Sequence, residues 1–400
     1  MTGKWQISFI YTYLTSLIVF LGMLFGTDCL RGSRHGDFTP PDRVGTVAGA
    51  YSNWDGAWYT RIAQDGYTYD PSRMSSVAFF PAYPLLGRAL AWATSLPQEL
   101  ALAVLSQLLL WATLALLMAY VRGRHPGEEH LPAYTAVALA LFPLSFFFRA
   151  AYTESLFVFL AVLTLYGLER RWPVLVVAVV VGLATATRAT GIALVPPLVL
   201  GVWRTYPSTG TRIRTLAWAV PLSCWGLAGY VVYQGAAFGE PLAFAQTQKH
   251  WRFRPSSTLA ENLGAVATLE PLWSVYDPVS PAYWGRHDKE LSPAFSLQFA
   301  NPLYLVGAVA LIACGVWRRW LSPAEILLAV GLIGIPYLTR SYYTCMASQA
   351  RFATAVFPIY IVLGRLLVRV PPPMGALCLA GSGFLLGVYS ALFAARFLFI

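Results

Sequence analysis

Five stretches of this chain place ionisable side chains inside or beside strongly apolar sequence. In Tyr51-Ser-Asn-Trp-Asp-Gly-Ala-Trp-Tyr59, the carboxylate of Asp55 stands between Trp54, Trp58 and Tyr59. Amphipathic aromatics favour the headgroup level of a membrane, so an acid among them could take a proton from a molecule whose tail lies in lipid. Asp65 and Asp70 follow in the same region, ahead of Ala78-Phe-Phe-Pro-Ala-Tyr-Pro84, and are weaker candidates. For each acid the plain alternative is a solvated turn or a helix cap. Glu154, in Arg149-Ala-Ala-Tyr-Thr-Glu-Ser-Leu-Phe157, stands near Tyr152 and Ser155 and either walls a polar cavity or reaches for water as a partner of Arg149. Arg188 interrupts Ala186-Thr-Arg-Ala-Thr-Gly191. It marks either a hairpin turn or a guanidinium fork suited to bidentate contact with phosphate or carboxylate. Arg351 lies one turn into an apolar segment. Lys249, His250 and Arg252 follow Phe238-Gly-Glu-Pro-Leu, as a basic interfacial helix drawn to headgroups or as contacts to an anionic group in the leaflet.

The elements that must hold these side chains are transmembrane helices. The chain is 57% hydrophobic and 12% charged, against roughly 25% charged in a soluble globule. Its apolar runs approach the roughly 20 residues a spanning helix needs and lack the alternation of a barrel strand. The fold class is therefore an all-α polytopic membrane protein. Spans are expected at about residues 7–26, 98–121, 132–148, 152–168, 173–187, 191–203, 216–237, 302–317, 324–339, 350–368 and 375–397, about eleven in all. The stretch 79–95 could cross or lie flat. If it lies flat, the basic connections Arg122-Gly-Arg124, Glu169-Arg-Arg171, Arg204 to Arg214, Arg318-Arg319 and Arg365 to Arg369 share the side of the N-terminus. Positive residues of short connections stay cytoplasmic, so the flat reading puts the N-terminus inside and both long loops, 27–97 and 238–300, outside. Arg149, Glu154, Arg188, Arg340 and Arg351 then surround a mouth facing the first loop. Ionisable groups in spans cost about 2.5–3.5 kcal/mol each at the bilayer centre, so their presence calls for a reason. Residues 1–400 form one membrane domain with no internal repeat.

The net charge of +10 marks membrane orientation here, and no nucleic-acid partner is expected. The five cysteines show no metal-ligand spacing, although a Cys29 to Cys345 bridge is open. No phosphate loop, HExxH or GxSxG is present. An enzyme built this way would need a donor already activated and delivered in the membrane. No cofactor is expected, and no clustered acidic set suggests a metal.

Trp54-Asp55, Arg61-Ile-Ala-Gln-Asp-Gly-Tyr67, Tyr69-Asp70 and Ala78-Phe-Phe-Pro-Ala-Tyr-Pro84 together resemble the signature of the PIG-V family, mannosyltransferases of glycosylphosphatidylinositol assembly and their prokaryotic relatives. Pro143 to Phe157, Thr187-Arg-Ala-Thr-Gly191, Gly239 to Trp251 and Arg351 to Pro358 are similar to later family stretches in the same order. Trp58 stands where the family often has His, and Ala189-Thr190 where Ser-Asn is more usual. The resemblance implies the C-type glycosyltransferase fold, with an interfacial helix in the first extracytoplasmic loop and a polyprenyl-phosphate sugar as donor. On that reading Asp55 is the base of an inverting hexosyl transfer and Arg188 and Arg351 meet the donor phosphate, with Lys249, His250 and Arg252 behind them. Trp54, Asp65, Tyr67, Asp70, Tyr152 and Glu154 contact substrate, Glu154 by orienting a sugar hydroxyl or holding an arginine. The acceptor is a lipid, glycan or protein, and the setting a prokaryotic plasma membrane. The competing class is a transporter or flippase of a lipid-linked sugar, which would carry its ionisable groups near the midplane at broken helices.

Overall fold

The computed structural model describes residues 2–30, 46–255, 257–287 and 291–397. Residues 31–45 of the first expected loop, and 256 and 288–290 of the second, lie outside that set. The helices that frame the bundle and the site are α1 (Thr2–Asp28), α2 (Asp55–Asp65), α3 (Ala82–Thr94), α4 (Gln98–Arg124), α5 (Leu131–Leu141), α6 (Glu154–Glu169), α7 (Val174–Thr187), α8 (Val195–Thr205), α9 (Thr209–Ser223) and α10 (Trp225–Phe238). They continue as α11 (Leu297–Trp317), α12 (Pro323–Arg340), α13 (Gln349–Thr354), α14 (Pro358–Arg369) and α15 (Pro372–Ala394). Five of them, α1, α4, α11, α12 and α15, are long and apolar enough to cross a membrane, and α9 with α10, bent by 48°, makes a sixth if counted as one span. The other expected spans are shorter or interrupted helices.

The interruptions have local causes. The span expected at 132–148 stops at Leu141, before Phe142-Pro143, and resumes as a tight turn over Ser145–Phe148. Proline cannot donate to a helical ladder, and the residue before it is pushed out of helical geometry. The span expected at 350–368 is likewise two pieces, with α13 ending at Thr354 and α14 starting on Pro358. Where helices run whole, small residues let them touch. At Gly22 and Gly26 of α1 a Cβ atom would run into the carbonyls of Gly387 and Ala391 on α15. Such close backbone approach is how helices pack without a hydrophobic driving force between them.

Residues 79–95 do not make a span. The 13 residues of α3 reach only about 20 Å, short of a roughly 30 Å hydrocarbon core. Two polar anchors fix α3. Tyr83 donates to the Leu102 carbonyl at 2.9 Å and bonds Ser106 on α4. Arg88 donates Nε to the Ala63 carbonyl at 2.6 Å and Nη2 to that of Ile62 at 3.0 Å. Those carbonyls belong to the last turn of α2; that of Ile62 also accepts from the Gly66 amide, and Arg88 satisfies that of Ala63, which the helix end leaves orphaned.

Most paired ionisable groups gather toward the two ends of the bundle, with Arg149 an exception. At one end α2, α3 and the C-termini of α7, α12 and α15 meet. At the other, Glu325 accepts from Tyr120 at 2.7 Å, Arg365 donates to Glu128 at 2.6 Å and to His125 Nδ1 at 2.8 Å, and Arg369 lies 4.4 Å from the Trp320 ring centre. Two expectations are corrected. Cys29 is exposed, Cys345 is buried, and both are free, so they form no bridge. Arg149 is not at the mouth. It is fully buried and donates to Ser16, Thr15, the Ser145 hydroxyl and carbonyl, and the Ala140 carbonyl, which tie the Ser145–Phe148 turn to α1.

Candidate active site

Asp55 opens α2, where the helix dipole favours a negative charge. The turn before it is clamped from several sides. Asn53 donates to the carbonyls of Phe393 at 3.1 Å and Ala394 at 3.3 Å, and accepts from Arg396 at 3.2 Å. Tyr152 donates to the Asn53 carbonyl at 3.0 Å, and the Ala151 amide donates to that of Tyr51 at 2.8 Å. Trp54 itself sits at φ 56°, a conformation that costs a non-glycine residue on the order of 1 kcal/mol or more and persists only where surroundings enforce it. The clamps supply that enforcement. They turn the chain sharply into α2, so that Asp55 faces the bundle.

The carboxylate meets a buried chain of charges. Arg351 Nη1 donates to Asp55 Oδ2, and Arg351 Nε donates to Glu154 Oε1 at 2.5 Å. The same Glu154 oxygen accepts from Arg188 Nη1 at 3.0 Å. Exposure falls inward along this chain: 27% for the Asp55 side chain, 11% for Arg188, 4% for Arg351 and none for Glu154. Aromatic rings cover the cations. The Arg351 guanidinium lies 4.4 Å from the Tyr152 ring centre and 5.5 Å from that of Phe147, while Arg188 lies 5.3 Å from Phe352 and 5.8 Å from Phe157. Each side chain sits at a helix end or on a short helix. Glu154 is the first residue of α6, Arg188 terminates α7, and Arg351 rides the short α13. These helix ends turn the groups toward one another. Among the described residues Asp55 Oδ1 and Glu154 Oε2 accept no hydrogen bond.

The remaining candidates sit apart from this chain. Tyr67 donates to the Phe79 carbonyl at 2.9 Å and packs at 5.4 Å against Tyr230, holding the loop on α10. Asp70 accepts from Ser72 at 2.6 Å and pairs with Arg73 at 2.8 Å, bonds that lower its carboxyl below the usual range and close a local turn. Asp65 is exposed at the end of α2. His250 Nε2 lies 3.1 Å from the Pro71 carbonyl, Arg252 lies 4.1 Å from the Tyr343 ring centre, and Lys249 is exposed. The two loops nonetheless join. Trp251 packs against Trp58 at 6.3 Å and Phe79 at 6.1 Å, so the second loop reaches the face of α2 one turn beyond Asp55. An apolar cavity of about 370 Å³ lies between α11, α14 and α15, bounded in part by Ala353 of α13. Among the described residues no three His, Cys, Asp or Glu side chains gather as a metal site. Sequence reasoning missed Asn53, Phe147 and Phe352. The Asn-Trp-Asp string carries a signal for the first, whereas the two rings look like any other apolar residues.

Similarity to known proteins extends over most of this framework. A 116-residue stretch is 31% identical to GPI mannosyltransferase 2 of Drosophila pseudoobscura pseudoobscura, covering 27% of this chain and 25% of that relative. The match thus spans about a quarter of the curated relative. The apo oligosaccharyltransferase of Archaeoglobus fulgidus is similar at a TM-score of 0.45 and 14% identity, over 97% of this chain and 56% of that one. ArnT from Cupriavidus metallidurans, also apo, is similar at 0.42 and 16%, over 97% and 76%. The family model described as mannosyltransferase (PIG-V) matches residues 42–372, and the chain belongs to that family.

Proposed function

We propose that this protein is an integral membrane mannosyltransferase that moves a hexose, with inversion, from a polyprenyl phosphate to a hydroxyl of a lipid, glycan or protein acceptor. The observation that carries this reading is Asp55 itself, with one carboxylate oxygen fixed by a buried guanidinium and the other accepting no bond from any described residue. In the proposed step the acceptor oxygen attacks the anomeric carbon from the face opposite the phosphate. The new carbon–oxygen bond forms as the bond to phosphate breaks, its electron pair leaves on the phosphate, and the hydroxyl proton passes to Asp55 Oδ1. General-base help of this kind is typically worth about 100-fold to 10,000-fold.

Glu154 holds rather than reacts in this scheme. By sharing one oxygen between Arg188 and Arg351 it keeps two like charges together in a dry site, where preorganised donors stabilise charge best as it develops. Arg188 keeps donors beyond the one used on Glu154, which suits it to the departing phosphate. The distribution of charge between the ends of the bundle supports one sidedness. The basic connections gather opposite Asp55, and if these are cytoplasmic the reaction occurs on the extracytoplasmic face, in a prokaryote at the plasma membrane. A flippase is expected to place its charges near the midplane, whereas Asp55, Glu154 and Arg188 of this cluster sit at helix ends. Purified protein in detergent, given radiolabelled polyprenyl-phosphate mannose and separate lipid, glycan and protein fractions, should label one fraction. Folded protein that labels none of them would refute the proposal.

A further inference from the structure

Among the described residues, three guanidiniums but only two carboxylates meet at the Asp55 cluster. Arg188 and Arg351 are bonded to Glu154 and Asp55. The third is Arg340, the last residue of α12. Its guanidinium lies 5.7 Å from the centre of the Phe352 ring, the ring that Arg188 approaches at 5.3 Å. It is close enough to feel the attraction of Asp55 and the repulsion of Arg351 and Arg188. Its side chain makes no hydrogen bond and no ion pair with any described residue, although its own backbone carbonyl is used by Thr344.

A cation at the C-terminus of a helix is ordinarily explained by the helix dipole or by orientation in the membrane. Neither explains this placement. Arg340 is only partly exposed, and a side chain with water available would turn away from two other guanidiniums. Here it converges on them across one aromatic ring. Among the described residues, therefore, the cluster holds one positive charge that no carboxylate pairs. A charge kept among like charges implies an anion that completes the site, because the unpaired state is costly.

We propose that Arg340 receives the phosphate of the lipid-linked donor and holds the lipid phosphate that departs. This rests on reading the site as one that takes a polyprenyl-phosphate sugar. The charge count matches that ligand. A phosphodiester donor carries a single negative charge, equal to the surplus at the cluster, and gains negative charge when the glycosyl bond breaks. A planar fork then meets two phosphate oxygens at once, a geometry that lysine does not offer.

The test measures binding without transfer, on full-length protein in nanodiscs. Decaprenyl phosphate is compared with uncharged decaprenol and with inorganic phosphate, against the parent and R340Q. Losing one charge-assisted bond should weaken decaprenyl phosphate by about 10-fold to 100-fold in R340Q and leave decaprenol unchanged. Inorganic phosphate at the same concentration should not compete. The inference is overturned if R340Q binds decaprenyl phosphate within twofold of the parent, or if inorganic phosphate competes equally, which would mark a bare anion site. A second measurement needs no variant. Saturating decaprenyl phosphate should protect Arg340 of the parent from phenylglyoxal, read by mass spectrometry of its peptide, and decaprenol should not. Unprotected Arg340 contradicts the inference even if R340Q fails to fold. Protein that binds decaprenyl phosphate through Arg340 yet transfers no sugar would sink the transferase reading and leave this one standing. Full transfer by R340Q would do the reverse.

Discussion

Replacing Glu154 with Gln tests the structural heart of the site. The substitution keeps shape but deletes the one negative charge lying between Arg188, at 3.0 Å, and Arg351, at 2.5 Å. At an effective dielectric near 20, one such contact at 3 Å has a Coulomb energy of roughly 5 kcal/mol, of which desolvation cancels part. Breaking a buried ion pair from one side typically costs about 3–5 kcal/mol, because a charge is left uncompensated. Glu154 is wholly buried, so solvent screens little of this. Unfolding entropy of roughly 2.1 cal/mol/K per residue over 400 residues converts that cost to a melting point lower by about 4–6 °C. Among the described residues Arg188 loses its one carboxylate partner and is left facing Arg351, which keeps Asp55, so removing Arg188 should relieve the repulsion. The assay is a double-mutant cycle of Glu154→Gln with Arg188→Gln, followed by thermal melting in detergent. The double variant should melt higher than the sum of the single effects requires. Additivity within about 0.5 kcal/mol would mean that the two groups do not interact, and the charge chain described here would be wrong.

Three further outcomes are expected. Arg351→Lys keeps the charge but cannot serve Asp55 and Glu154 together as a fork does, so turnover should fall by about tenfold or more; unaltered turnover would contradict the tether. Gly26→Val drives a side chain into the Ala391 carbonyl on α15 and should destabilise by about 1–3 kcal/mol, measured by melting, whereas an unchanged melting point would place the two helices farther apart. His125, just past α4, is pushed from 6.5 down to about 4, first by burial and then by Arg365 and Arg124, and its Nδ1 accepts from Arg365 only while neutral. Unfolded chains take up that proton at higher pH than folded ones, so the contribution is complete above pH 6.5 and lost as pH falls toward 4. Melting points between pH 7 and 4 should therefore decline more steeply for the parent than for His125→Asn, and parallel curves would rule the linkage out.

Much of the architecture was legible because hydrocarbon imposes length and apolarity on whatever crosses it. The flat placement of 79–95 came from counting basic connections, and α3 proves too short to span. What the apolar pattern hid were the breaks at Phe142-Pro143, Cys224 and Ala355–Phe357, since a broken helix in lipid is as apolar as a whole one. At the site, Asp55, Glu154, Arg188 and Arg351 stood out as charges without a soluble context. That Glu154 holds two arginines rather than one could not be seen, because its partners Arg188 and Arg351 lie 34 and 197 residues along the chain. Arg149 and Arg188 look alike in sequence. Ser16, Thr15 and Ser145 enclose the first, while the second faces the site, and only packing separates them. Asp70 and Tyr67 carried the right chemistry, yet their partners are in their own loop and on α10.

The central claim is that Asp55 takes the proton of the acceptor hydroxyl. Single-turnover transfer of radiolabelled mannose from polyprenyl-phosphate mannose, by parent and Asp55→Asn protein matched in folding and in donor binding, tests it most directly. The account predicts a fall of at least about 100-fold in the chemical step with donor affinity nearly kept. Transfer by Asp55→Asn at the parent's rate would contradict it.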